Sequence, residues 1–400
     1  MRLTIICTLF SFFLLFGCIA QPLDSASNPG DSAGDAQVDD SQTNYSDVNN
    51  GQPDRRPIWI MSPKDMAVYN NKLYIVSSAG TSSIVYQYVD DRTVPKEVMR
   101  LTVYNSTFSR EDPKFKDKLF ELNSLAVYNN VLYVAGAAGL FKMKDNGEWE
   151  YLDYPAPGAP AGGFFGIDKM KVFNGELYVG ASYAFQSETH GGVVRTDRVL
   201  KLVGNQWQEV PGVKEDTGLP GITDIELYGA TLYVGEDSAV YKHIPIGENA
   251  PRFEDLVTDT SQVDLDRFTQ LGTDGSALYA CGESAKVYRY SGQWQLLKEV
   301  ADDCEFFKTI DGIVYFGVGS FPAEDALAVD KRGLFKIVDG QVQHVATPIE
   351  TESRYQTNKI GVNSIAKYNG ELIVGTTWGD RGGGLYKVKG DEMERIVFYK

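Results

Sequence analysis

From about residue 60 onward the chain is written as short runs in which apolar and polar residues alternate, separated by pairs of Asn, Asp and Gly. Alternation with a period of two is the mark of β-strands with one face buried. The same unit recurs: MAVYNNKLYIVSS from Met66, LAVYNNVLYVAGA from Leu125, MKVFNGELYVGAS from Met170, IELYGATLYVGED from Ile225, LGTDGSALYACGE from Leu271, FKTIDGIVYFGVG from Phe307 and IAKYNGELIVGTT from Ile365. In six of these seven copies the second strand carries a tyrosine in register: Tyr74, Tyr133, Tyr178, Tyr233, Tyr279 and Tyr315, with Ile373 in the last. The Asn-Asn, Asn-Gly and Asp-Gly pairs predict two-residue hairpin turns, because these residues tolerate positive φ.

Each copy continues with a third strand, among them GLFKMK, RVLKLV, KVYRYS and GLYKVK. Several add a turn and a fourth strand, as in DNGEWEYL, GNQWQEV and SGQWQLL. The unit is thus an antiparallel meander of four strands over about 50 residues, the size of a propeller blade. The expected fold is an all-β propeller of seven four-stranded blades, with six or eight as alternatives, over residues 57–400. Residues 57–61 are expected to add to the edge of the last blade and help close the ring. Trp149, Trp207 and Trp294 recur in register on fourth strands, which predicts packing between blades.

These repeats resemble those of bacterial secreted propellers, with the pattern LYVG, then Gly-Leu-Tyr and a basic residue, then Gly-x-Trp. The resemblance covers residues 60–400 and implies architecture alone, since this fold hosts binding, scaffolding and several chemistries.

The N-terminus has a different character. Arg2 precedes an apolar run from Ile5 to Phe16, too short to span a bilayer and the right length for a signal peptide. The run ends in Leu15-Phe16-Gly17-Cys18, which resembles the lipobox of bacterial lipoproteins. That resemblance implies cleavage after residue 17 and lipidation (palmitate among the acyl groups) of Cys18. Residue 19 is Ile and not Asp, so the usual bacterial sorting rule implies an outer-membrane or cell-surface location in the envelope. Residues 18–56 are rich in Ser, Asp, Asn, Gly and Gln and cannot bury enough apolar surface to offset ordering entropy, so a disordered tether is expected there. A flexible chain of about 38 residues spans roughly 35 Å root-mean-square.

The net charge of −16 repels phosphates and excludes nucleic acid as a partner. Four cysteines are present; Cys7 would leave with the signal peptide and Cys18 would carry lipid. Cys281 and Cys304 remain in a chain bound for an oxidising compartment. They fall at the end of a second strand and the start of the next copy's first strand, ends that point to one face of a meander. A disulfide between them is one reading and a pair of buried thiols the other.

Candidate chemistry lies where loops are long. Turns between first and second strands are minimal, whereas the segments 89–121, 154–166, 182–196, 318–332, 348–362 and 376–384 read as long connections on the opposite face. They hold Tyr183, Phe185 and His190 in one segment and Trp378, Asp380 and Arg381 in another, residue types suited to stacking on sugar rings or gripping a peptide. At the start of the first strands, Asn123, Asp168, Thr223, Glu305 and Asn363 align as a polar ring at the top of the central channel, able to hold a cation or a polar ligand, or to serve simply as a solvated channel lining. The three histidines occupy unrelated blade positions, and no HExxH, GxSxG, phosphate-loop or calcium-loop motif is present, so neither a metal site nor a cofactor is expected.

The function expected is a non-enzymatic envelope propeller, anchored by lipid, that binds a protein or glycan through its long-loop face. The alternatives are an extracellular carbohydrate-active enzyme using channel or loop carboxylates such as Asp168, Glu305 and Asp380, and an outer-membrane assembly factor.

Overall fold

The computed structural model describes residues 57–58, 60, 62–79, 82–102, 121–152, 164–187, 192–203, 206–210, 222–236, 239–244, 252–256, 263, 269–300, 303–319, 333–348, 361–377, 383–396 and 398–399. The chain divides into two units, residues 1–53 and 54–400. All described residues belong to the second.

Among them there is no helix. A short β1 (Pro57–Ile58) comes first. The first repeat is β2 (Pro63–Tyr69), β3 (Lys72–Ala79), β4 (Ser82–Tyr88) and β5 (Lys96–Thr102). The second is β6 (Ser124–Tyr128), β7 (Val131–Gly136), β8 (Gly139–Met143) and β9 (Trp149–Leu152). The third is β10 (Phe164–Phe173), β11 (Glu176–Ser187), β12 (Gly192–Val203) and β13 (Gln206–Glu209). The fourth is β14 (Asp224–Tyr228), β15 (Thr231–Glu236), β16 (Ala239–Ile244) and β17 (Arg252–Asp255). The fifth is β18 (Gln270–Thr273), β19 (Leu278–Cys281), β20 (Lys286–Tyr290) and β21 (Trp294–Glu299). The sixth is β22 (Cys304–Ile310), β23 (Ile313–Val318), β24 (Gly333–Val338) and β25 (Gln341–Pro348). The last is β26 (Gly361–Tyr368), β27 (Glu371–Thr377), β28 (Gly384–Lys389) and β29 (Glu392–Arg395), followed by β30 (Phe398–Tyr399).

The first five repeats are separate four-stranded sheets with strands in sequence order. The last two join into one sheet of eight through a short parallel pairing of β25 with β29. Within each repeat all neighbours are antiparallel. The first strands pack in a cycle: β2 on β6, β6 on β10, β10 on β14, β14 on β18, β18 on β22, β22 on β26, and β26 back on β2. Four-stranded meanders arranged around a ring of innermost strands make a β-propeller.

The turns follow from the dipeptides. Both central residues have positive φ at Asn70-Asn71, Asn129-Asn130, Asn174-Gly175, Gly229-Ala230, Asp311-Gly312 and Asn369-Gly370. This is the backbone of a type I′ turn, whose twist matches the strands it joins.

The core is distributed. Each apolar cluster draws on two successive repeats, as where Leu122, Leu132 and Phe141 meet Tyr74, Val85 and Leu101, or Phe307, Phe316 and Phe335 meet Tyr279 and Val287. The cluster that closes the ring joins Met66, Ile75 and Tyr88 to Ala366, Tyr368 and Ile373, with Ile60 buried among them. Beside it the Tyr368 hydroxyl donates toward Asn71 O at 3.1 Å and Val89 O at 2.9 Å. Residues 57 and 58 do not extend the last repeat's outer edge; β1 pairs with β30 as a separate two-stranded ribbon. Trp149 works between repeats, its indole donating to Val98 O on β5 at 3.1 Å.

Two expected loops contain strand. Residues 96–102 of the segment 89–121 are β5, the first repeat's outer strand. In the segment 182–196, β11 and β12 stay paired as far as Ser187 and Gly192, so the hairpin is extended instead of being bridged by a long loop. Alternation through Tyr183-Ala184-Phe185-Gln186 and the β-branched Val193-Val194 favour that continuation.

Candidate functional site

Of the loop residues singled out in the sequence, His190, Trp378, Asp380 and Arg381 lie outside the described residues. Tyr183 and Phe185 sit on β11, paired with Thr196 and Val194. His243 is inside β16, paired with Phe253, and His344 is on β25, where its Nε2 lies 2.9 Å from Thr347 Oγ1. Among the described residues no cluster of His, Cys, Asp and Glu has the arrangement of a metal site.

The residues expected to form a polar ring at the channel take equivalent register positions on the inner strands. Asn123 and Thr223 immediately precede β6 and β14, and their amides donate to Ala135 O and Gly235 O at 2.8 and 2.9 Å. Asp168, Glu305 and Asn363 each occupy a register shift near the start of an innermost strand. A bulge inserts one residue and re-aims its side chain. Asp168 Oδ2 accepts a bond from Ser182 Oγ at 2.6 Å, within its own repeat. Glu305 is exposed, whereas Asn363 is buried and its Oδ1 finds no hydrogen-bond partner among the described residues. These residues share a level but not a common contact.

One step further along the same strands lies a charged layer that the sequence reading missed. The residues flanking the buried Met66, Met170, Ile225 and Phe307 include Asp65, Lys169, Lys171, Asp224, Glu226 and Lys308. Lys171 Nζ on β10 is 3.0 Å from Asp224 Oδ1 and 3.0 Å from Glu226 Oε2 on β14. It also reaches Leu271 O on β18 at 3.3 Å, past the strand between. Lys169 Nζ is 3.5 Å from Gln270 Oε1 on β18. On the other side, Lys308 Nζ on β22 passes β26 to reach Asp65 Oδ1 at 3.1 Å and Met66 O at 2.6 Å on β2. A side chain that contacts the inner strand two places along the ring crosses the channel, so these lysines occupy it.

The carboxylates are tied down by backbone as well. Asp65 Oδ2 accepts the Leu125 amide of β6 at 2.8 Å, and Asp224 Oδ2 accepts the Leu271 amide of β18 at 3.0 Å. Ser124 does the same for Met170 of β10 at 3.1 Å. Asp224 has no exposed side-chain surface. Burial tends to lower the Lys171 pKa, but the carboxylates of Asp224 and then Glu226 outweigh it and hold the ammonium above its ordinary value. Burial pushes the Glu226 carboxyl up; Lys171 opposes this and Asp224 adds to it. The signal that could have revealed the layer was charge on both sides of one apolar residue, as in Lys169-Met170-Lys171 and Asp224-Ile225-Glu226.

No family model matches the chain. No curated protein matches it either. Among solved structures it is similar to the acylaminoacyl peptidase of Pyrococcus horikoshii, at 12% identity, 85% of this chain, 52% of that one and a TM-score of 0.47. It is also similar to the Dos1 propeller, at 11% identity over 85% and 82% of the two chains, TM-score 0.47. The computationally designed Ika8 protein gives 12% identity over 84% and 86%, TM-score 0.44. The chain spans about half the length of the peptidase it matches. The propeller architecture is read here from sheet order and from the ring of inner strands; these likenesses add no function to it.

Proposed function

We propose that this chain is a lipid-anchored envelope protein whose seven-bladed propeller binds a protein or glycan without turning it over. The seven sequence copies, with the joined sheet of eight strands counted as two blades, support that number. Residues 1–17 are the signal peptide, Cys18 is the lipidation site, and residues 18–56 are the tether that holds the body away from an outer-membrane or cell-surface leaflet.

The observation that carries the non-enzymatic reading is the pairing of the channel's charges. Lys171 is matched by Asp224 and Glu226, and Lys308 by Asp65. Acids saturated by lysines and backbone amides hold inner strands together and are poorly placed to move protons on a substrate. Recognition then falls to the face carrying Tyr183, Phe185, His190, Trp378, Asp380 and Arg381, with Asp168 and Glu305 at the channel mouth.

Two measurements test this. Fatty-acid labelling of cells should mark the wild-type chain and not Cys18→Ser, which should leave the membrane fraction; an unchanged membrane fraction refutes the anchor. The detergent-solubilised full chain, applied to a glycan array and to envelope proteins by crosslinking, should show saturable binding that Trp378→Ala weakens. Release of sugar from any glycan that disappears in Asp168→Asn or Glu305→Gln would replace this reading with a hydrolytic one.

A further inference from the structure

The channel lysines divide the ring into two arcs. Lys171 and Asp224 tie β10, β14 and β18 together, because the ammonium reaches Leu271 O while Asp224 holds the Leu271 amide. Lys308 and Asp65 tie β22, β2 and β6: the ammonium reaches Met66 O on the aspartate's own strand, and Asp65 holds the Leu125 amide of β6. The last repeat is enclosed in this second arc: Ser364 Oγ donates to Pro63 O at 3.2 Å, and Lys367 is paired with Asp311. The two clasps are alike in design. In each, the lysine that follows a buried inner-strand residue (Met170 or Phe307) grips an aspartate on another strand, and the other oxygen of that aspartate grips the strand beyond.

The arcs meet at two seams. Between β6 and β10, Ser124 accepts the Met170 amide. Between β18 and β22 the equivalent residue is Gln270, whose side chain turns instead to Lys169, inside its own arc. This second seam is crossed by the apolar cluster of Tyr279, Phe307 and Phe316, by Lys298 over the Phe335 ring, by a bond from Thr309 Oγ1 to Thr273 O at 2.6 Å, and by the Cys281–Cys304 disulfide, with Cα atoms 5.7 Å apart. Both cysteines are buried, at 0% and 3% exposure, so a reductant reaches the bridge only when the seam has opened.

We propose that the propeller is built as two charge-clasped arcs and that the Cys281–Cys304 disulfide is the lock on one of the seams where they meet, setting how readily the ring opens between β18 and β22. A covalent link across a seam that neither lysine–aspartate clasp spans restrains a local opening and not only the unfolded chain.

Hydrogen exchange on the full chain tests this, comparing wild type with the double variant Cys281→Ser and Cys304→Ser. The expected result is exchange about tenfold faster in β18, β19 and β22, with β2, β6 and β14 unchanged, as for a sub-global opening. If the double variant fails to fold, the comparison is made on the folded wild-type chain before and after reduction by a dithiol, which is oxidised to its cyclic disulfide as the bridge becomes two thiols. In either form, acceleration spread evenly over all repeats, or none at the β18–β22 seam, overturns the proposal.

Discussion

Cys281 occupies the position that glycine holds in four other repeats, and Cys304, its disulfide partner, lies on the inner strand that those glycines allow to approach. Two residues after the second-strand Tyr178, Tyr233, Tyr315 and Ile373 come Gly180, Gly235, Gly317 and Gly375. A Cβ at Gly180 would lie 2.6 Å from Ile222 Cγ2, and one at Gly235 would lie 2.6 Å from Thr269 O. At Gly317 and Gly375 it would run into Val362 and Pro63 of the next repeat. The glycine of the LYVG pattern is therefore a residue of close approach between neighbouring repeats. At one seam the close approach carries a covalent bond instead of a bare contact.

This makes Gly317→Ala a sharp test. The obstructing group is the Val362 backbone carbonyl, which cannot rotate away as a side chain would. Overpacking at such a point costs about 1–3 kcal/mol. Urea denaturation should show a lower midpoint with an unchanged slope. A stability equal to wild type would mean that the Val362 carbonyl yields to the added methyl.

A second test concerns turn strain. Ala230 has φ of 63° at a position filled by Asn71, Asn130, Gly175, Gly312 and Gly370 in other repeats. Alanine pays a steric cost in the left-handed region that glycine does not. Ala230→Gly should therefore stabilise the protein by about 0.5–1 kcal/mol, although glycine also gives the unfolded chain more freedom. The check is the urea midpoint, which should rise; a fall would show that unfolded-state entropy dominates at this turn.

The contrast between these features and the channel shows what a linear pattern reveals. Hairpins such as Asn129-Asn130 and Asn369-Gly370 are local, and two residues specify each. The buried partners of Tyr133 or Phe316 follow from alternation. The pairing of Lys308 with Asp65 is of another kind: the residues are 243 positions apart and meet only because the ring closes and β22 looks across β26 at β2. Each flanks an apolar inner-strand residue, which reads locally as an ordinary solvated edge. Extended pairing of β11 with β12 was hidden for a similar reason, since aromatic and polar residues such as Tyr183 and Gln186 suit a loop as well as a strand.

Alkaline pH should expose the second-strand tyrosines. Burial is the main cause that raises Tyr178, Tyr233 and Tyr279 to about 12, with Glu176 and Asp274 adding to it through hydrogen bonds at Tyr178 and Tyr279. In the unfolded chain these phenols ionise near pH 10. A folded pKa above the unfolded one gives stability that is complete below pH 10 and is lost as pH rises through about 12. Lys171, held above its ordinary value, contributes with the same sign. Phenolate absorbance from these residues should appear together with loss of the β-sheet circular dichroism signal. Full titration of the tyrosines in a chain that keeps its sheet signal would contradict the burial argument.

Removing Lys171 should be costly, and the pH dependence should identify the cause. Lys171→Met keeps most of the aliphatic stem but leaves Glu226 without its ammonium, and leaves Asp224, with no exposed side-chain surface, with the more distant Lys169 at 3.9 Å. Stranding one side of a buried ion pair typically costs about 3–5 kcal/mol. Glu226 already has its pKa raised by burial and by Asp224, and Lys171, with the Leu227 amide, holds it down. Without the lysine its folded pKa rises further above the unfolded value. By linkage, the stability Glu226 contributes is present below the unfolded pKa and lost as pH rises through the folded one. The variant should therefore be weakest at neutral pH and recover part of the loss as the solution is acidified toward pH 5. Adding Glu226→Gln to Lys171→Met should restore part of the stability at pH 7 and flatten that recovery. Urea denaturation of the four proteins of this cycle at pH 5 and pH 7 gives the coupling directly. A loss in Lys171→Met that is the same at both pH values, and untouched by Glu226→Gln, would show that the lysine acts through packing and not through its charge.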